Sequence, residues 1–590
     1  MSADYLVATK NQLRGHSKLE VNMKIESLDF KNDSTIEDNG RVYYSGNDYY
    51  GNNGEPTTAY ATLEKDYWML DGRKKLLPEN NFALQPLISN VMCNLENEFE
   101  DTIPTITISA EDSKLQYNII GFKIVFDTLD NDYASEFDIE CYLDGQLTKT
   151  IKWVNSSVEC DMTAGMTNID KIKIKFLKMN KPQRRLRIES IFLGLTRKYT
   201  NKDIIEASHK WEVDLLSREI SDTTFKITVD NRNAKYNADN PSGINVYFQE
   251  NQPIEIKYYY ETKSGEYEIV KGGTLYLDGN PTTEEYEATF EAKGKLYFLS
   301  NTYKKGLYSG VAKSYYDLLV DLFVEAGISN YSITESLKNI TTVIPLPVLP
   351  IKELIQLICN ATNTICIEDR SGAINIISRD METKNYYLDL KNQIEFPVVE
   401  TQSKLKNVNV SYYQIAEAEE IEEIFNGSFK MSGTKKIQIE YSSSPSIECK
   451  ATVTNGTILS AIYYSYYCEL EVQPTDINAE VVVTIEGRPI EMNKNIHTLE
   501  VNVDGEDCDV DNPLVDSEVV ATSIANHFKN YLINRNLYIS ENRGEPCFDV
   551  GDIISLETQF SDSKEVAILS NEIDFDGSLT GKTELKSIGG

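Results

Sequence analysis

Apolar and polar residues alternate along most of this chain. Within residues 223–241, Phe225, Ile227 and Val229 are separated by single polar residues, the period of a strand with one buried face. Asp230, Asn231 and residues 237–242 follow as turn formers, because Asn, Asp, Pro and Gly tolerate the backbone angles a turn needs. The alternation returns at 253–258, 273–277 and 286–292. These runs predict a small barrel of meandering strands. Residues 21–30 give one further alternating strand, read as a first barrel strand with the next module inserted after it.

Residues 104–194 repeat the two-residue period almost without interruption. Ile106 and Ile108, Ile124 and Phe126, and Phe137, Ile139 and Cys141 each mark one face. Residues 171–176, KIKIKF, have one apolar and one basic face. Turns are signalled at Asn131-Asp132, Asp144-Gly145 and 180–182. This spacing predicts a jelly-roll-like β-sandwich. Ahead of it lie a Tyr-rich polar loop at 43–54 and a segment at 60–78 that Trp68 and Leu70 are expected to anchor.

The period changes to that of a helix at 315–326, where Leu318, Leu319, Leu322, Phe323 and Ala326 share a face and Gly327 stops it. A proline-rich stretch, 343–350, leads to a second helix with Ile351, Leu354, Ile355 and Ile358 on one side. Strands at 364–368 and 373–378 flank the turn Ser371-Gly372, giving a small α/β unit. Alternation resumes over 401–503. There Tyr463, Tyr464, Tyr466 and Tyr467 read equally as a receptor or subunit contact and as a buried strand edge. Asp504, Glu506, Asp507, Asp509 and Asp511 read as an acidic loop, either a plain turn or a cation bridge. A helix after Ser517, with Val520, Ile524, His527, Phe528 and Tyr531 on its face, precedes the closing strands.

The fold class that follows is mainly β with a minor α/β part, in several domains. The divisions are a strand and Tyr-rich linking region (1–94), the sandwich (95–198), a first barrel (199–310), the α/β unit (311–395), a second barrel region (396–515), and a helix with closing strands (516–590). At 590 residues the chain exceeds what one core supports.

Charge narrows the function. There are 92 acids against 58 bases, a formal net charge of −34. An outer surface that grips nucleic acid needs clustered Lys and Arg, so that class is disfavoured. Two readings of the acidity stand: solubility, and a channel wall past which DNA slides without sticking. The nine cysteines form no CxxC pair and read as reduced, mostly buried thiols. With four scattered His no zinc site is expected, and no cofactor. Asp127, Asp130 and Asp132 are weighed as a calcium loop but lack the supporting Gly and bidentate Glu, so no metal is expected. The opening residues lack a basic-then-apolar leader and no apolar run approaches 18 residues, so neither export nor membrane insertion is expected. There is no GxSxG, HExxH, GxxxxGK[ST] or GxGxxG in context. No catalytic residue is assigned and the chain is not expected to be an enzyme.

The order of several segments is more specific than any one of them. WEVDLLSREIS (211–221) is followed by FKITVDN (225–231), YNADNPS (236–242), ENQPIEIKYYYE (250–261), GGTLYLDGNP (272–281) and ATFEAKGKLYFLSN (288–301). Near the end come Arg543-Gly544-Glu545-Pro546, then VGDII (550–554) and SNEIDFDGSLTGKT (570–583). In this order residues 201–590 resemble the tail hub proteins, baseplate or tail-tip components of tailed phages and phage-like particles. The front sandwich resembles the galactose-binding-like modules that such proteins carry. The resemblance implies a homotrimer at the distal end of a virion tail tube. Two similar barrels per chain would then give six around the axis, matching a six-fold tube. It also implies the partners: tail tube and distal tail proteins, the tape measure protein, spike or fibre proteins, DNA as passing cargo, and a cell-surface glycan at the sandwich. For that glycan Trp153, Tyr133 and Tyr142 are the candidate stacking platforms, against the alternative that they fill the sandwich core. The chain closes about seven residues after its last hub-like turn, which implies a hub without an appended peptidase or muramidase. A glycan-binding adhesin, and a cell-wall carbohydrate-active enzyme with a carboxylate pair, remain the other classes.

Overall fold

A computed structural model describes residues 17–50, 52, 57–61, 64, 72–75, 84–112, 115–240, 243–262, 265–306, 312–378, 383–476 and 479–588. Trp68, Leu70, Pro241 and Ser242, singled out above, lie outside them. The chain is mainly β, with short helices, and is built of several sheets.

The first strand, Ser17–Glu26, alternates as its sequence predicts and buries Leu19, Val21, Met23 and Ile25. It pairs on one side with Pro253–Glu261 and on the other with Gly194–Tyr199. The chain therefore leaves the barrel at Glu26, through Ser27 and the short helix α1 (Leu28–Asn32), builds the whole sandwich, and returns beside the strand it left. Gly194 is opposite Glu26, and a Cβ there would lie 2.1 Å from the Ile25 carbonyl oxygen. Only glycine allows the backbones to come this close at the crossing point.

The inserted module is a two-layer sandwich. One sheet runs in the order Leu87–Met92, Arg185–Phe192, Tyr117–Phe126, Glu159–Ile169. The other runs Ser34–Asp38, Thr105–Ala110, Lys171–Met179, Ala134–Leu143, Gln146–Val154. Phe122, Ile124 and Phe126 meet Phe137, Ile139, Ile172, Ile174 and Phe176 between the layers. The rings of Phe126 and Phe176 contact edge to face at 6.2 Å, a favoured aromatic geometry. The basic face of KIKIKF points away from this core.

The barrel strands belong to one large sheet, fourteen-stranded among the described residues. Its front part follows the order Ser17–Glu26, Pro253–Glu261, Tyr267–Leu277, Glu287–Lys293, Thr224–Asp230, Ile204–Glu212. Its rear part follows Ser561–Phe575, Leu579–Ser587, Asn536–Asn542, Val398–Thr401. Ile204–Glu212 and Ser561–Phe575 pair antiparallel, with Ala207 opposite Phe575 and Trp211 opposite Asn571. This seam joins residues more than 350 positions apart. Ile227, Ile256 and Phe290 of the front set and Ile554, Ile568 and Leu585 of the rear set lie in one continuous core.

Between the two strand sets sit the α/β unit and the second β region. Helices α2 (Tyr315–Glu325) and α3 (Ile351–Ala361) bury the predicted apolar faces. The Ser314 hydroxyl caps α2 by accepting from the Asp317 N–H. They pack with the sheet Tyr331–Ile333, Ile374–Ser378, Thr364–Glu368. Helix α4 (Glu518–Leu532) joins the same core through Ile524 and Phe528, beside Val408, Val410 and Val510. The 22-residue strand Ala479–Glu500 is the spine of the second region: its first half pairs with Glu422–Met431 and its second half with Leu405–Glu417.

Two local readings are corrected. The acidic cluster is not a loop: Glu506–Asp511 is an edge strand parallel to Leu405–Glu417. Cys508 and Val510 turn towards the core. The carboxylates turn outward, where Asn407 donates to Asp507 and Asn409 to Asp509, each at 2.8 Å. Alternation with small apolar residues wins over the turn tendency of Asp. The tyrosine cluster is a tight connection rather than one strand. Gly456–Tyr463 and Tyr467–Pro474 flank it, and the Ser465 N–H donates to the Lys305 carbonyl at 3.0 Å. The cluster thus docks the second region on the chain that enters the α/β unit.

Candidate functional site

The three aromatics proposed as a glycan platform do not converge. Trp153 lies opposite Phe137 on the strand Gln146–Val154, on the face that Phe137 and Ile139 bury, and packs against the sandwich core. Tyr133 packs against the same core from the start of the neighbouring strand. Tyr142 is on the outer face, where its hydroxyl donates to Glu140 at 2.7 Å and Lys173 stands over its ring. Two of the three are half-buried against the sandwich core, and the third belongs to a charged outer surface.

Asp127, Asp130 and Asp132 are engaged by cations of the protein itself. Lys74 pairs with Asp130 at 2.6 Å; Lys181 and Arg184 flank Asp132 at 2.5 and 3.1 Å. Asp127 accepts from the N–H groups of Leu129 and Asp130, the geometry of an Asx turn. Beside them Glu64 receives Arg187 in a two-pronged pair, at 3.0 and 3.2 Å, with both side chains buried. This network ties Glu64 to the sandwich. No group of three metal-binding side chains occurs among the described residues.

The chemistry concentrates instead where the barrel sheet meets the α/β unit. A cavity of about 600 Å³ opens there, lined by Trp211, Glu368, Arg370, Asp549 and Asp552. Trp211 comes from the seam strand; Glu368 and Arg370 come from the end of Thr364–Glu368 and the turn after it; Asp549 precedes the VGDII segment and Asp552 lies within it. Arg370 is the clasp. Its guanidinium pairs with Asp549 at 2.6 Å, donates to the Lys271 carbonyl at 2.7 Å, and lies 5.4 Å from the Trp211 ring. One planar cation thereby ties the α/β unit to the front and the rear strand sets, using an ion pair, a hydrogen bond and a cation–π contact together.

Beneath Trp211 the ring of His209 is fully buried, tilted against Trp211 with ring centres 3.6 Å apart and 3.0 Å from the Tyr258 hydroxyl through Nδ1. Burial first, and the nearby Arg370 second, push its pKa well below the ordinary value. Glu368 accepts from the Lys295 N–H at 2.7 Å, at the start of a 3₁₀ turn. Burial pushes its carboxyl up to about 7, against the lowering effect of that hydrogen bond. Its Oε2 and the Asp549 carboxylate hold the junction, while its Oε1 is buried without a hydrogen-bond partner.

Trp211 and Asp552 stand in the ordered segments 211–221 and 550–554, but none of these residues was assigned to a site from the sequence. His209 shares the inward face of its strand with Ala207 and Trp211, a period-two signal that marks a core position and nothing more. Glu368 and Arg370 lie at a turn, and no spacing connects them to Trp211 or Asp549.

A larger cavity, about 700 Å³, separates the sandwich from the barrel edge. Its charges are matched within its walls: Lys24 with Glu255 at 2.7 Å and Lys123 with Glu159 at 2.8 Å.

No family model matches the sequence. No curated protein matches it either. Solved structures similar to this chain include the 43 kDa tail protein of prophage MuSo2 from Shewanella oneidensis. It is 10% identical, with a TM-score of 0.38 over 66% of this chain and 96% of that one. A tail protein from Neisseria meningitidis MC58 is 7% identical, with a TM-score of 0.38 over 66% of this chain and 94% of that one. The family 32 carbohydrate-binding module of C. perfringens NanJ, solved with galactose, is 8% identical. Its TM-score is 0.19, over 29% of this chain and 98% of that one.

Proposed function

We propose that this protein is a structural, non-catalytic subunit of a phage or phage-like tail, the hub at the distal end of the tail tube. The observation that carries the reading is the seam. Two strand sets, drawn from opposite ends of the sequence, stand side by side in one sheet with a common core. A chain that presents two such sets is suited to symmetry matching: three copies offer six similar faces around one axis. The ordered segments at 211–301 and 543–583 support the same reading, because they supply this sheet and its connections.

The work of such a protein is mechanical. The ring would adapt tube symmetry, gate the lumen and hold spike or fibre proteins, while the sandwich projects from it. The Arg370 clasp and the shared core of the α/β unit with the second β region would keep the parts of each subunit from shearing. The tail tube, the tape measure protein and the spike are its expected partners, and DNA its passing cargo.

Light scattering on the purified full-length protein tests this. The expected mass is that of a trimer, three times 66.9 kDa. A particle that remains at 66.9 kDa at every concentration, and that does not close into rings when the tube protein is added, would refute the reading.

A further inference from the structure

The large sheet has one uncovered end. Val398–Thr401 is its last strand: it pairs with Asn536–Asn542 on one side, and no strand lies on the other among the described residues. Val398 and Val399 are neighbours on this strand and so point to opposite faces, yet they are 54% and 50% exposed. Ile394 and Phe396, just before it, are 60% and 47% exposed. Leu390 continues the rim, and its N–H donates to Glu557. The turn after Glu557 carries Phe560, 91% exposed. A sheet edge flanked by large apolar side chains is a liability for a protein that stays alone.

We infer that this rim, from Leu390 to Val399 with Phe560, is the surface through which one copy of the chain docks on the next. The inference rests on the ring reading above and adds where the ring is joined. Two observations favour a second copy as the occupant. The first is area: the six side chains expose roughly 600 Å², close to the ~800 Å² that each partner gives to a standard interface. The second is charge. The chain carries −34, so most of its surface repels another copy. Between the bordering Asp389 and Glu400, residues 390–399 hold only Lys391 and Glu395, so apolar side chains make up most of the contact. In a closed ring of three the rim meets a different surface of its neighbour, which also covers the open edge.

The test is light scattering of the full-length protein, the double variant Ile394→Glu/Phe396→Glu, and Phe560→Ser. The inference expects three chains for the unmodified protein, a single chain for the double variant at the same micromolar concentration, and at least tenfold weaker association for Phe560→Ser. Far-ultraviolet circular dichroism checks folding. If the double variant misfolds, Phe560→Ser decides alone, because its side chain stands free at a hairpin tip. Trimers from all three proteins would overturn the rim assignment and leave the ring reading intact. A single chain for the unmodified protein at every concentration would overturn the rim assignment and count against the ring as well.

Discussion

Replacing Asn571 by Leu is expected to destabilise the barrel sheet by about 3–5 kcal/mol, the sum of several buried polar groups left unpaired. Asn571 lies on the seam strand and is fully buried. Its amide donates to the carbonyls of Glu545 and Phe548 at 3.1 and 3.3 Å. Its carbonyl accepts from the Thr583 hydroxyl at 3.1 Å, and that hydroxyl accepts from Asn542 at 2.9 Å. Leu is close in volume, so the variant removes hydrogen bonds without opening a large cavity. Two carbonyls and one hydroxyl then lose partners in a place water does not reach. Urea unfolding followed by tryptophan emission measures the loss, with Ser578→Ala at an exposed turn as the neutral control. A change below 1 kcal/mol would mean that water reaches this network.

The same network explains why one stretch of sequence was readable and its partner was not. Arg543-Gly544-Glu545-Pro546 stood out as a motif, and its physical content is now plain. Gly544 has φ +73°, and a Cβ there would lie 3.0 Å from the Thr580 carbonyl oxygen, so the position requires glycine. The carbonyl of Glu545 then faces Asn571. Local geometry of this kind leaves a trace in the residues that tolerate it. The seam leaves none: Ile204–Glu212 and Ser561–Phe575 each read as ordinary alternating strands, and pairing across more than 350 positions is set by packing of both against one core. The sandwich and the α/β helices were legible because their periods are local. Ser17–Glu26 was legible as a strand for the same reason, and the return of Gly194 beside it accounts for the insertion.

The sites were less legible than the fold. Aromatic residues are the usual clue to a sugar platform, yet Trp153 and Tyr133 spend one side of their rings on the sandwich core. Asp127, Asp130 and Asp132 looked like cation ligands because sequence shows carboxylates and hides the Lys74, Lys181 and Arg184 that approach them from elsewhere. The junction cleft was invisible for the same reason. Its residues are ordinary one by one, and only their meeting raises the pKa of Glu368 and lowers that of His209.

These shifts oppose each other between about pH 4.5 and 6.5, and they predict which variant separates them. Glu368 holds its proton up to about pH 7 in the folded protein, whereas its ordinary value is 4.5. Its contribution is complete below pH 4.5 and is lost as the pH rises through 7, a change on the order of 3 kcal/mol. His209 is shifted the other way. Its neutral ring suits the fold, so its contribution is complete above the ordinary value of 6.5 and declines as the pH falls below it, by about 1.4 kcal/mol per pH unit. Glu368→Gln keeps an acceptor for the Lys295 N–H and cannot ionise. It is therefore expected to raise the unfolding midpoint most at pH 8 and least at pH 5, where the folded carboxyl is protonated and only the unfolded one has begun to ionise. His209 is retained in that variant and is no longer opposed by Glu368, so the fall in stability from pH 6.5 to 5 should be steeper than in the wild type. Urea titrations of both proteins at pH 5, 6.5 and 8 separate the two groups. An equal effect of Glu368→Gln at all three values would show that this carboxyl is ionised throughout. Glu368 would then meet the Lys295 N–H as a carboxylate, with no proton held where the barrel sheet joins the α/β unit.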